Sequence, residues 1–155
     1  MTYQPDAVDR RILKALVEDG RLSNKDLAKK VGLSPSPCWQ RQRRLEKEGI
    51  INGYSASINH DALGVAEIVL IEVSLEQHDA RTVDAFSDAM ANIPEVLEVY
   101  LMAGDCDYLI KVATNGTKGM EAFLRQHIFK IKGIRHLRSR FALRCIKKSA
   151  GFVPQ

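Results

Sequence analysis

The chain has 155 residues, 45% of them hydrophobic, which suits one medium or two small packed domains. No apolar run approaches the roughly 20 residues that cross a bilayer. The opening Met1-Thr2-Tyr3-Gln4-Pro5-Asp6 has neither the basic region nor the apolar core of a secretory signal, so a cytoplasmic protein with no membrane partner is expected.

The net charge of +4 is unevenly placed. Residues 1–60 hold 11 Lys and Arg against 7 Asp and Glu, and the remainder holds 12 of each, so a cationic module precedes a neutral one. Cys38, Cys106 and Cys145 are dispersed and odd in number, which argues against a disulfide framework and a zinc site. His60, His78, His127 and His136 show no ligand spacing, so no metal and no cofactor is expected.

Residues 6–18 carry Val8, Ile12, Leu13, Leu16 and Val17 at helical spacing, ended by Asp19-Gly20. Ser23 followed by Asp26 resembles a capping box and opens a short helix with Leu27, Ala28 and Val31 inward, stopped by Gly32. Ser34-Pro35 is a helix start, in which Ser34 is expected to cap a first-turn N–H and Pro35 has no N–H to lose. Good helix formers continue to Glu48, and Gly49 ends them. Two short helices on a tight glycine turn form a helix-turn-helix, and the first helix walls its core.

One face of the third helix carries Cys38, Arg41, Gln42 and Leu45, the other Ser36, Gln40, Arg43 and Lys47. A polar front with a basic flank is what the major groove of double-stranded DNA accepts. Gln40 pairs well with adenine and Arg43 with guanine. Arg44 and Lys47, with Ser23 and Lys25 at the start of the preceding helix, suit phosphate, and Ser34 is a further candidate for DNA contact. A solvated helix face would read the same way in isolation; the tandem-helix context, together with the family resemblance given below, favours DNA. Trp39 is expected to be partly buried. Cys38 reads as a small buried apolar residue before it reads as a redox switch.

Residues 50–58, with Asn52-Gly53 as a turn dipeptide, suggest a short strand or wing, and 61–64 a linker. Beyond it, strand patterns at 67–75, 96–102, 107–113 and 134–146 alternate with helix patterns at 79–91 and 115–129. The order strand, helix, strand, strand, helix, strand is ferredoxin-like βαββαβ, a four-stranded antiparallel sheet with both helices on one face. Leu70, Tyr100, Ile110 and Ala142 are expected on the uncovered face, where an apolar surface would call for a second copy of the chain. The expected architecture is α+β: a winged helix-turn-helix in 1–60, the linker, a ferredoxin-like domain in 65–148, and a tail in 149–155.

Gly104-Asp105-Cys106-Asp107-Tyr108 is a second candidate site. A glycine turn leaves backbone N–H groups open for a carboxylate, and Asp105 or Asp107 suits an ammonium group. A plain hairpin turn explains the same residues. Arg135, Arg138, Arg140, Arg144, Lys147 and Lys148 read as a solvated basic edge that discourages aggregation. No nucleophile–base pair, phosphate loop or metal constellation appears, so an enzyme is not expected.

Asp9, Ile12-Leu13, Asp19-Gly20-Arg21, Leu27-Ala28, Val31-Gly32-Leu33-Ser34, Cys38, Arg41, Arg43-Arg44-Leu45-Glu46, Gly49-Ile50-Ile51, Gly53-Tyr54, Gly104-Asp105 and Asp107-Tyr108-Leu109 together resemble the Lrp/AsnC family over nearly the whole chain. Gln42 departs from it, since the family usually has an apolar residue there, and its amide needs a hydrogen-bonding partner. The resemblance implies a DNA-binding regulator of amino-acid metabolism genes, nucleoid-associated, that dimerises and often assembles to octamers. It implies an amino-acid effector at Met102, Ala103, Gly104, Asp105, Asp107 and Tyr108, with Ser139 of an adjacent subunit. The alternative is an architectural DNA-compacting protein of low sequence preference.

Overall fold

The computed structural model describes residues 3–64, 67–77, 79–149 and 151–154. The expected domain start at residue 65 and His78 lie outside them. The chain divides into two compact units, Met1–Ser57 with Lys147–Gln155, and Ile58–Ile146. The tail therefore groups with the helical unit, where a Cβ on Gly151 would lie 3.6 Å from Val17 Cγ2.

The first unit has three helices: α1 (Ala7–Glu18), α2 (Asn24–Val31) and α3 (Pro35–Lys47). Asp6 caps α1 by accepting from the N–H groups of Val8 and Asp9, and the Asp9 carboxylate accepts from the N–H of Asp6, a complete capping box. Ser23 accepts from the Asp26 N–H at the start of α2. Gly32 ends α2 at φ 73°, a left-handed conformation that a side chain would strain. Ile12, Ala15, Leu27, Ala28, Val31, Cys38 and Leu45 form the core, each large side chain contributing roughly 1.5–3 kcal/mol through burial.

Two expectations fail here. Ser34 makes no side-chain cap hydrogen bond; the entry to α3 is held instead by Asn24, whose Nδ2 donates to the Pro35 carbonyl at 2.9 Å. Residues 50–58 contain no strand. A lone extended run has no second strand to satisfy its backbone groups, and its Tyr54 side chain turns back onto α3 instead.

The second unit contains a 3₁₀ turn (Asp61–Leu63), β1 (Glu67–Leu75), α4 (Ala80–Ala91), β2 (Val96–Leu101), β3 (Tyr108–Thr114), α5 (Gly116–Phe123) running into a π turn (Leu124–Ile128), and β4 (Ile134–Ala142). The antiparallel sheet has strand order β2-β3-β1-β4. Val69, Ile71, Val73 and Leu75 of β1 pack with Tyr108, Ile110 and Val112 of β3 against Phe86 and Met90 of α4 and Met120, Phe123 and Ile128 of the second helical segment. β4 stops at Ala142 rather than residue 146, because its last partner is Ile68, near the start of β1.

The register corrects the reading of the open face. Ile110 lies opposite Ile71, so it belongs to the covered, fully buried face. Leu70 pairs with Lys111 and Arg140, and Glu72 with Leu109 and Arg138, which puts charged residues on the uncovered face. Glu72 binds Arg140 at 2.7 Å and Glu98 binds Lys111 at 2.7 Å there. The face is a mixed polar surface and not an apolar one.

Candidate DNA-binding surface and effector site

Helix α3 is fixed from behind. Cys38 and Leu45 are wholly buried, and burial pushes the Cys38 thiol pKa up, so it remains an inert core group. Asp9 is also wholly buried and gathers cations and donors from two elements. Arg41 binds it at 2.9 Å and binds Asp6 at 2.6 Å, Tyr3 donates its hydroxyl to it, and the Arg44 guanidinium stands at 3.9 Å. A buried carboxylate without such partners would be strongly destabilising. Burial, then the Asp9 hydrogen bond, raises the Tyr3 pKa and keeps its hydroxyl a donor. Arg44 lies over the Tyr3 ring at 4.5 Å and donates to its hydroxyl at 2.7 Å.

In front, Ser34, Ser36, Gln40, Arg43, Arg44 and Lys47 are all exposed, as are Ser23 and Lys25 of α2. The polar front read from the sequence is thus a continuous wet surface over a dry core. Arg44 differs from the rest in being anchored to Tyr3 and the Asp9 cluster. Trp39 is half exposed, with the Arg43 guanidinium 5.7 Å from its ring centroid. Gln42 finds its partner: its amide donates to the Tyr54 hydroxyl at 2.7 Å, and Tyr54 donates to Glu46 at 3.0 Å. Burial pushes the Tyr54 pKa up, which keeps that hydroxyl protonated.

The turn between β2 and β3 is tied to β1. Met102 N–H donates to the Asp107 carbonyl, Asp107 N–H to the Val73 carbonyl, and Leu75 N–H to the Asp107 carboxylate at 2.7 Å. Gly104 sits at φ 139°, a conformation side chains resist. Met102, Ala103, Gly104 and Asp105 are exposed at this turn. Tyr108 points the other way, buried with its ring against Phe86 and its hydroxyl donating to the Val83 carbonyl at 2.8 Å. Ser139 pairs with Ile71 and so lies on the side of the sheet opposite Glu72.

Beside the turn, the open face forms a cavity of about 570 Å³ lined by Glu72, Ser74, Asp105, Cys106, His136, Arg138 and Arg140. Of the expected effector residues, only Asp105 reaches it. Sequence reading missed the five sheet residues of its wall. Alternation along β1 places Glu72 and Ser74 opposite the core side chains, but the pairing with Arg138 and His136 that completes the wall depends on strand register. Two carboxylates, two guanidiniums, an imidazole and a hydroxyl together supply donors for a carboxylate and acceptors for an ammonium group. Among the described residues no cluster of His, Cys, Asp and Glu suits a metal ion, and no helix is long and apolar enough to cross a membrane.

Residues 68–152 match the Lrp/AsnC ligand binding domain, and residues 5–52 match a winged helix-turn-helix DNA-binding family. The leucine-responsive regulatory protein of Escherichia coli K12 is 35% identical over 148 residues, covering 96% of this chain and 90% of that protein. An AsnC family transcriptional regulator from Agrobacterium tumefaciens superposes with a TM-score of 0.90 at 36% identity, covering 96% of each chain. A transcriptional regulator of Neisseria meningitidis, solved as a complex with L-methionine, superposes with a TM-score of 0.89 at 30% identity, again over 96% of each chain. The chain belongs to the Lrp/AsnC family: it is a DNA-binding transcriptional regulator with a ligand-binding domain, not an enzyme.

Proposed function

We propose that the chain is a sequence-specific regulator whose grip on DNA responds to a free amino acid, and that it controls genes of amino-acid metabolism. The observation that carries this reading is the division of α3 into a buried, ion-paired back and an exposed front of Ser36, Gln40, Arg43 and Lys47. Gln40 and Arg43 address base edges. Ser23, Lys25, Ser34, Arg44 and Lys47 hold phosphate. The chain works as a self-assembly, a dimer that builds to an octamer, so paired half-sites stand about one helical turn, ~34 Å, apart.

The effector is an amino acid held at the turn of Met102, Ala103, Gly104 and Asp105. Asp105 and Glu72 take its ammonium group, and Arg138 or His136 takes its carboxylate. Asp107 fixes the turn through Leu75, Tyr108 supports it from within the core, and Ser139 reaches the site from a neighbouring subunit. The charge pattern of the cavity supports this, as does the methionine complex of the Neisseria relative. Bound effector shifts the population of assemblies and thereby the spacing of the DNA-reading helices.

A thermal-shift screen with the twenty amino acids identifies the effector, since a ligand of the folded state stabilises it by mass action. Asp105→Asn is expected to abolish the shift while leaving affinity for DNA intact. Footprints unchanged by every amino acid would remove the effector from the reading. Equal affinity for promoter and random DNA at fixed salt would replace regulation by compaction.

A further inference from the structure

The DNA-facing surface of α3 contains a built hydrogen-bond relay that the family assignment does not explain. Glu46 lies one turn beyond Arg43 on the same helix. Its Oε2 takes the Arg43 guanidinium at 3.0 Å, and its Oε1 accepts from the Tyr54 hydroxyl at 3.0 Å and from Gln42 Nε2 at 3.4 Å. Gln42 also donates to the Tyr54 hydroxyl at 2.7 Å, which closes a triangle of Glu46, Gln42 and Tyr54. Trp39 lies on the other flank of Arg43, one turn earlier.

An exposed ion pair by itself holds little, because two mobile side chains lose entropy on meeting. This pair is different in kind. Glu46 has only a quarter of its side chain exposed and is fixed by two partners, so its rotamer is already set when Arg43 arrives. The Glu46 contact uses Nη1 of a guanidinium that has five N–H donors in a rigid fork, and bidentate recognition of a guanine edge requires that fork to be aimed.

We infer that Glu46 is a positioning residue for base reading: clamped by Tyr54 and Gln42, it orients the Arg43 guanidinium on the outer face of α3. Tyr54 thereby gains a role in sequence preference without touching DNA. This rests on the reading that Arg43 addresses a base. The carboxylate also opposes phosphate at the same spot, so it weakens indiscriminate binding while it aims the specific contact.

The test uses the full-length chain and an operator recovered from a random duplex library by selection with the wild-type protein. Affinity is measured for that operator and for a scrambled duplex of equal length at one salt concentration. Arg43→Ala is expected to lower the operator-to-scrambled ratio roughly 5- to 100-fold, the range of one lost base pairing. Tyr54→Phe changes no charge and removes only the hydroxyl of a half-exposed ring. It is expected to lower the ratio about 3- to 10-fold, the range of one hydrogen bond, and to have no further effect in the Arg43→Ala background. Glu46→Gln is expected to raise affinity for the scrambled duplex in both backgrounds, because it removes a charge that repels phosphate, and to lower affinity for the operator only while Arg43 is present. A ratio that falls with Arg43→Ala but not with Tyr54→Phe overturns the positioning role alone, as does an equal Tyr54→Phe effect in both backgrounds. A ratio unmoved by Arg43→Ala removes Arg43 from base reading and the positioning role with it.

Discussion

The helical unit and the sheet unit solve the same problem, holding a polar working surface still, by opposite means. Behind α3 stands a buried carboxylate, Asp9, ringed by Tyr3, Arg41 and Arg44. Behind the Gly104 turn stands an apolar layer with the Tyr108 hydroxyl satisfied inside it, and the turn itself is pinned by backbone hydrogen bonds and by the Asp107 carboxylate on the Leu75 N–H. The helical unit is small, so its apolar core alone stabilises little, and charge-assisted bonds fix the angle of its working helix. The sheet has area enough to rely on packing.

If that contrast is right, the largest loss comes from the sheet unit's core. Phe86→Ala should cost about 3–5 kcal/mol, as aromatic truncations in dry cores do, seen as a lower urea midpoint of the sheet unit by hydrogen exchange. Asp9→Ala should come next, at about 1–3 kcal/mol, because the Tyr3 hydroxyl and the Asp6 N–H lose their acceptor and Arg41 keeps only Asp6. Exchange protection of α1 and α3 should fall while that of the sheet stays unchanged. A loss of protection in the sheet instead would break the comparison.

A smaller effect follows from pH. The backbone N–H of Asp9 first, and the Arg41 guanidinium second, hold the Asp6 carboxyl at a pKa of about 2, below its ordinary 3.8. A depressed carboxyl stabilises the fold above its unfolded value and loses that contribution as pH falls through its folded one. Wild-type stability should therefore drop between about pH 4 and pH 2, and Asp6→Asn should flatten that part of the urea-midpoint profile. The smallest effect belongs to the Lys30–Glu18 pair, exposed on both sides at 2.6 Å. Glu18→Gln should change stability by less than about 0.5 kcal/mol, and less still at high salt.

Much of the fold was legible because periodicity is local. Val69, Ile71 and Val73 alternate, and Val8, Ile12 and Leu16 recur by helical turns, so strand and helix declare themselves within a few residues. Faces that depend on pairing were not legible. Ile110 was placed on the wrong side of the sheet because its partner Ile71 lies 39 positions away and only the register joins them. A still longer separation hid the cavity wall, in which Glu72 meets Arg140 across two paired strands. The exposed front of α3 could be read from one helix. The Asp9 cluster behind it joins Tyr3, Asp9, Arg41 and Arg44, and no local pattern announces a contact of that span. The absent Ser34 cap shows the reverse limit: a residue of the right type at the right position need not make the bond.

Trp39 is the chain's single tryptophan, half exposed on α3, the helix proposed to meet DNA, and flanked by Arg43. The molecule therefore carries its own optical probe at its working surface. Indole emission and its quenching by a neutral collider such as acrylamide will report occupancy of that surface directly, with no dye attached and no second tryptophan to dilute the signal.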